Sequence, residues 1–349
     1  MVDKNYCMSS FLALRYVEKP GVSFTDTMPY RRPELKEGEK YRVRTAADVG
    51  EAIQKQLEPL KRKYGKIGLL LSGGMDSSIL ASYLPGCEAY TFRFLGGAFQ
   101  AEELRRAEGF AARNGMKLHY VDISWESVEQ SIEPVMRSKG GPVHSIEPQL
   151  YYAAMQAKRD GVELLVFGDG ADYVFGGMDQ LLSKDWTFDA YMARSIYVEP
   201  AKVLKEPVSM QYLFERYRQG EKIDFMRFYD VVVTEESYGS YENAFSAAGI
   251  EAFDPYEAME RAEPLDLKRI RSGDTKYLIR ELFRIRYPEL PVPEKLPMPR
   301  PVDAYFRDWT GPVRPEFRSD IDMSRYTGNQ KWLIWCLEYF LNFMEQLRG

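Results

Sequence analysis

The chain has 349 residues, 45% of them hydrophobic and 28% charged, a balance that buries a core and excludes a disordered, collagen-like or disulfide-scaffold protein. Lys and Arg number 47 against 52 Asp and Glu, a formal net charge of −5, which argues against a dominant surface for nucleic acid or anionic membrane. Cys7, Cys87 and Cys336 lie far apart and form no CxxC pair, so neither a disulfide framework nor a zinc site is indicated and a reducing cytoplasm is the expected location.

At roughly 150 residues per domain, the length allows about two domains or one large α/β unit. The N-terminus lacks the basic start and apolar run of a signal peptide, and residues 1–45 show no sustained period, so they read as an extended lead-in. Over 46–64, Val49, Ile53, Leu57 and Leu60 recur at spacings of three and four, which predicts an amphipathic helix. Apolar runs then predict strands over 66–71, 88–94, 117–122 and 163–167, alternating with helices over 77–84, 101–114, 125–137 and 147–159. Such alternation implies an α/β fold, a parallel sheet with helices on both faces that places ligands at the carboxyl ends of its strands. The expected division is therefore a lead-in to 45, an α/β core over 46–180, and a mainly helical part over 181–349 that completes the site. Six of the fifteen residues from 287 to 301 are proline, which excludes regular helix or central strand there. The apolar tail 332–344 is broken by Glu338 and Asn342 and is shorter than the ~20 residues of a membrane span, so it reads as a packed terminal helix.

The sharpest motif is SGGMDSS, Ser72 to Ser78, between a buried strand and a helix. Gly73 and Gly74 allow a tight turn with N–H groups pointing inward, Ser72, Ser77 and Ser78 add hydroxyls, and the helix N-terminus favours an anion. This is a phosphate cradle, and it is not a Walker A loop because no Lys-Ser or Lys-Thr follows at the required spacing. Asp76 is out of place in an anion cradle unless a cation such as Mg²⁺ mediates, although a first-turn carboxylate also offsets the helix dipole. A second cluster, GDGADYVFGG from Gly168 to Gly177, follows a later strand. Asp172 could then share the cation with Asp76, with Asp169 facing a substrate; solvated aspartates on a glycine turn are the alternative.

These motifs, with TFRF at 91–94 and AGIEAFDP at 248–255, resemble the synthetase domain of asparagine synthetases and beta-lactam synthetases over about 46–301. The resemblance implies an adenine nucleotide alpha-hydrolase-like fold and an ATP- and Mg²⁺-dependent enzyme. In that family a substrate carboxylate becomes an acyl-adenylate, pyrophosphate leaves, and ammonia or an amine displaces AMP to form an amide. Carried over by motif, Ser72, Gly73, Gly74, Asp76, Ser77 and Ser78 hold pyrophosphate, Asp76 and Asp172 bind Mg²⁺, and Leu71, Phe94, Phe167 and Gly168 frame adenosine. Lys276 in DTKYLIRELF matches the family lysine that stabilises the α-phosphate, and Glu251 is the candidate to orient or deprotonate the nucleophile, with Tyr238 and Tyr241 beside it. Glu103 stands where the family often has an acid and receives no role. Lys295 and Arg300 either close over the site or sit on a solvated loop. His119 and His144 read as structural, with His144 and Ser145 placed where the family makes phosphate contacts.

Two features depart from the family. Glutaminase-bearing members use a cysteine left first after Met removal, whereas residue 2 here is Val2 and Cys7 is internal, so glutamine hydrolysis by this chain is not expected. Nitrogen would come from ammonia, an amine, or a separate glutaminase subunit; a homodimer is left open. Asp169 replaces the usual Glu and Tyr173 follows Asp172 where an acid is common, so aspartate or an analogue is only the default acid. The competing readings are a nucleotide-binding sensor without catalysis, and a sulfur or RNA-modifying relative, which would need a reactive cysteine and a basic RNA face.

Overall fold

The computed structural model describes residues 1–32, 40–95, 100–295 and 301–347. Arg300, Pro297 and Pro299 of the proline-rich stretch lie outside the described residues. The central sheet consists of β1 (Ile67–Leu70), β2 (Glu88–Phe94), β3 (Lys117–Ile123), β4 (Leu164–Val166) and β5 (Glu251–Phe253). All neighbours run parallel in the order β3-β2-β1-β4-β5. The chain builds outward from β1 to one side and then returns to build on the other. The crevice between β1 and β4, at their carboxyl ends, is therefore the topological switch point where such sheets bind ligands.

The helices are α1 (Lys4–Leu14), α2 (Ala46–Lys63), α3 (Met75–Tyr83), α4 (Ala101–Arg113), α5 (Trp125–Lys139), α6 (Glu147–Arg159), α7 (Thr234–Ala248), α8 (Tyr277–Arg286) and α9 (Gly328–Gln346), with shorter turns between them. In β4 the alternation of side chains divides the core: Leu164 and Val166 pack with α2, α3, α4 and α8, while Leu165 packs with α6 and α7. Helix α2 forms where its spacing predicts. Thr45 and Asp48 make a reciprocal capping box, and Val49, Ile53 and Leu57 are fully buried, each apolar side chain stabilising the fold by roughly 1.5–3 kcal/mol.

The structure corrects the reading of the first 45 residues as extended. Asp3 caps α1, and all nine of its residues from Tyr6 to Leu14 are buried, seven of them in a large apolar cluster shared with α9. From Tyr6 to Leu14 the segment YCMSSFLAL is apolar or small on every side, so it carries no amphipathic stripe; a helix buried all round has none. Strand β5 and helix α8 both lie beyond residue 180 yet join the sheet and its core. Among the described residues, no helix is long and apolar enough to cross a membrane.

Candidate functional site

A cleft of about 250 Å³ opens at the carboxyl ends of β1, β2 and β4. Its floor is the turn from β1 into α3. Gly73 has φ +75°, and a Cβ there would stand 2.5 Å from the carbonyl of Glu103 on α4. Only glycine fits a left-handed turn at that separation. Gly74 caps α3, whose first-turn N–H groups have no intrahelical acceptor and face the cleft end of the sheet. The Ser77 hydroxyl accepts from the Ser72 N–H at 3.1 Å, fixing the turn. Ser78 does not join the cradle: its hydroxyl is buried and donates to the Met75 carbonyl at 2.8 Å.

Three charged side chains meet above this floor. The Lys276 Nζ lies 2.6 Å from Asp76 Oδ2 and 2.8 Å from Asp172 Oδ1. Lys276 is 5% exposed and caps α8 with φ +49°, a left-handed conformation that costs about 1–3 kcal/mol and marks functional sites when a non-glycine residue adopts it. Burial disfavours its ammonium, but Asp76 and Asp172 outweigh that and raise its pKa above the ordinary value. Burial also pushes the Asp76 carboxyl up, against the pull of Lys276. For Asp172 burial is outweighed by Lys276 and Lys295, which hold it below the usual range. Lys295, from the proline-rich stretch, reaches Asp172 Oδ1 and the Gly177 carbonyl at 2.9 Å each.

Asp76 Oδ1 is buried and has no hydrogen-bond partner, an expensive state for a carboxylate oxygen. A divalent cation would satisfy it, and Mg²⁺ is commonly held by one or two carboxylates plus substrate phosphates. The donor set of Asp76 and Asp172 fits that chemistry. Among the described residues, no cluster of three or more metal-ligating side chains exists that could hold a metal without a substrate.

Asp169 also lines the cleft. Its Oδ2 accepts from the Ser237 hydroxyl of α7 at 2.7 Å, and Tyr241 also bonds to it. Burial, with smaller contributions from Asp172 and Glu236, pushes this carboxyl up to about 7 against the Ser237 hydrogen bond. Phe167 stacks on Tyr241 with ring centroids 4.9 Å apart, and Leu71, Phe94 and Gly168 complete an apolar wall suited to a purine. Glu103 also lines the cleft, and burial moves its carboxyl up to about 7.

Glu251 does not reach this site. It is the first residue of β5, at the amino end of the sheet, where it is exposed and bonds to Tyr64 near Lys63. The residue of that motif that does reach the cleft end is Asp254, just past β5. Its Oδ2 accepts from the Gly170 N–H at 2.6 Å and its Oδ1 from the Tyr256 N–H at 2.9 Å, so it ties β5 to the loop carrying Asp169. Tyr238 packs beside Tyr173 and close to Gly170. Arg280, one helical turn after Lys276, lines the cleft as a further cation. His119 pairs with Glu88 at the amino end of the sheet, and His144 bonds to Arg15 at 2.9 Å. None of the three cysteines lines the cleft.

The asparagine synthase family model matches residues 48–310. A protein of Methanocaldococcus jannaschii, whose assigned name is asparagine synthetase 1 (glutamine-hydrolyzing), is 33% identical over 127 residues, which span 34% of this chain and 23% of that protein. Among solved structures, an NMN synthetase from Francisella tularensis aligns over 38% of this chain and 59% of its own at 12% identity and TM-score 0.28. The tRNA thiolase NcsA from Methanococcus maripaludis aligns over 86% and 79% at 14% identity and TM-score 0.34. With three quarters of its length in the family match and the phosphate-loop turn, paired aspartates and buried lysine brought to one cleft, the chain belongs to the asparagine synthase family.

Proposed function

We propose that the protein is an AMP-forming amide ligase that adenylates a small carboxylic acid, by default aspartate or an analogue, and transfers ammonia or an amine to it. The observation that carries this reading is the buried Lys276 ammonium held between Asp76 and Asp172 directly over the glycine turn. A fixed cation at that place meets the charge that grows on an α-phosphate as a carboxylate oxygen attacks it.

The turn from Ser72 to Ser77 and the N-terminus of α3 would receive the β- and γ-phosphates. The carboxylate oxygen bonds to the α-phosphorus and the bond to pyrophosphate breaks. Mg²⁺, held by Asp76 and Asp172, would neutralise charge on the departing pyrophosphate. Lys276 stays protonated throughout, because its two carboxylate neighbours oppose deprotonation, and acts as an electrostatic stabiliser rather than an acid. In the second half, the nitrogen attacks the acyl carbon, AMP leaves, and the nitrogen gives up a proton. Asp169, with its carboxyl pushed up to about 7, would take that proton at neutral pH, the role that Glu251 cannot fill from the opposite end of the sheet.

The test is to incubate the protein with ATP, Mg²⁺ and a panel of amino and small carboxylic acids, with and without ammonia, and to measure AMP and pyrophosphate. AMP and pyrophosphate formed in equal amounts with one acid are expected. ADP and phosphate, or no turnover with any acid and nitrogen source, would overturn the reading.

A further inference from the structure

Helix α7 is a wall with two polar faces. Ser237 and Tyr241 serve the cleft, whereas Glu235, Glu236, Gly239, Glu242 and Asn243 recur at the period of the opposite face and line a second cavity of about 390 Å³. Its other walls come from Tyr16, Tyr30, Arg31 and Arg32 of the N-terminal segment and from Lys139 at the end of α5. The N-terminal contributors precede residue 48, where the family match begins.

The strongest charges around this cavity are partnered. Arg32 forks onto Glu235, Lys139 lies 2.7 Å from Glu147, and Arg15 lies 2.7 Å from Glu236. The Tyr16 hydroxyl is different: the residue is 3% exposed, lines the cavity, and its oxygen has no hydrogen-bond partner. A buried hydroxyl is rarely left without a partner in a native fold, and this one lies beside Glu235 and Arg32 in the wall of a polar cavity.

The distribution of charge says what that is. Carboxylates occupy the α7 wall and cations occupy the facing walls, three of each among the lining residues, so the cavity has no net sign but a strong dipole. Because most of these charges are already paired, a single charge entering the cavity opposes one member of a pair, whereas a zwitterion can meet both walls without separating them. We propose that this second cavity binds a free α-amino acid, its ammonium toward the carboxylates of α7, its carboxylate toward Arg31 and Arg32, and the Tyr16 hydroxyl bonded between them. This site is separate from the nucleotide cleft and does not depend on the ligase reading.

The test is titration calorimetry on the full chain without ATP, using each common amino acid, with butylamine and propionate as probes carrying one charge only. At least one amino acid should bind with one-to-one stoichiometry, and the single-charge probes should bind about tenfold or more weakly, as the loss of a charge-assisted contact implies. Tyr16→Phe should weaken that binding about tenfold, the scale of one hydrogen bond, without lowering Tm, because no protein partner is lost. Arg31→Gln should weaken it as well, whereas Asp76→Asn in the cleft should leave it unchanged. Absence of binding by every amino acid, equal binding of butylamine or propionate, or binding that survives Tyr16→Phe and Arg31→Gln but fails in Asp76→Asn would overturn the proposal.

Discussion

The two ends of the parallel sheet carry the same kinds of residues in opposite states. At the amino end, Glu88 is held by Lys66 and His119, Asp160 accepts from the Tyr90 hydroxyl at 2.9 Å, Glu163 accepts from the Gly65 N–H at 2.6 Å, and Glu251 lies exposed beside Tyr64. These carboxylates are partnered at the rim of the sheet and contribute little beyond ordinary surface ion pairs. At the carboxyl end, Asp76, Asp169 and Asp172 are drawn inward, their carboxyls are displaced in opposite directions, one oxygen lacks a partner, and Lys276 is held in a left-handed backbone conformation. Carboxylate density alone therefore does not locate the chemistry. Burial, shifted carboxyls and a shared buried cation together mark the carboxyl end as the candidate site.

The largest effect expected from breaking this contrast is at Asp76. Asp76→Asn removes the carboxylate that bears the orphan oxygen, and AMP formation should fall by more than about a thousandfold, in line with loss of a principal electrostatic stabiliser, while circular dichroism stays native. Lys276→Ala should abolish turnover similarly and also destabilise the fold by about 3 kcal/mol, because two buried carboxylates lose their shared cation; denaturant melts would show it. Gly177→Ala comes next. Its new Cβ would fall 1.8 Å from Asp172 Oδ1, so Asp172 must move, and kcat should drop about a hundredfold as misplaced catalytic groups do.

A smaller and more diagnostic effect is expected at Ser237. Its hydroxyl stabilises the charged form of Asp169, so Ser237→Ala should raise the Asp169 pKa further above about 7. A base works only when deprotonated, so the rising limb of the pH–rate profile for amide formation should shift to higher pH, with a loss of roughly tenfold at neutral pH. The smallest effect belongs to the amino end: Glu251→Gln should leave kcat within about twofold and stability within ±0.5 kcal/mol, as an exposed substitution does. A large loss of turnover there would break the comparison.

Much of this site was legible because its two loops combine glycine pairs with aspartates immediately after buried apolar runs, a pattern that local physics alone interprets. The sheet and its covering helices were legible for the same reason, through the periods of their apolar residues. Lys276 was found through the family resemblance rather than through spacing, since a lysine at a helix start reads as ordinary surface charge. Asp254 was missed because its place depends on β5, whose three residues are too few to show an alternation, and Glu251 was assigned from the wrong end of the same strand. Those two residues sit three apart, about 10 Å along an extended chain, and that length separates a solvated rim from the cleft. Arg280 follows Lys276 by four residues, but Arg284 and Arg286 on the same helix look identical in sequence. The N-terminal helix was invisible because it is surrounded, and only an amphipathic helix announces its period.

The central claim is that the carboxyl end of the sheet joins a substrate carboxylate to the α-phosphate of ATP. The most direct test is to supply the acid found to support turnover with both carboxyl oxygens replaced by ¹⁸O and to analyse the products by mass spectrometry. An acyl-adenylate requires one labelled oxygen to leave with AMP for every amide formed. Label recovered in inorganic phosphate, or AMP formed without label, would contradict the account.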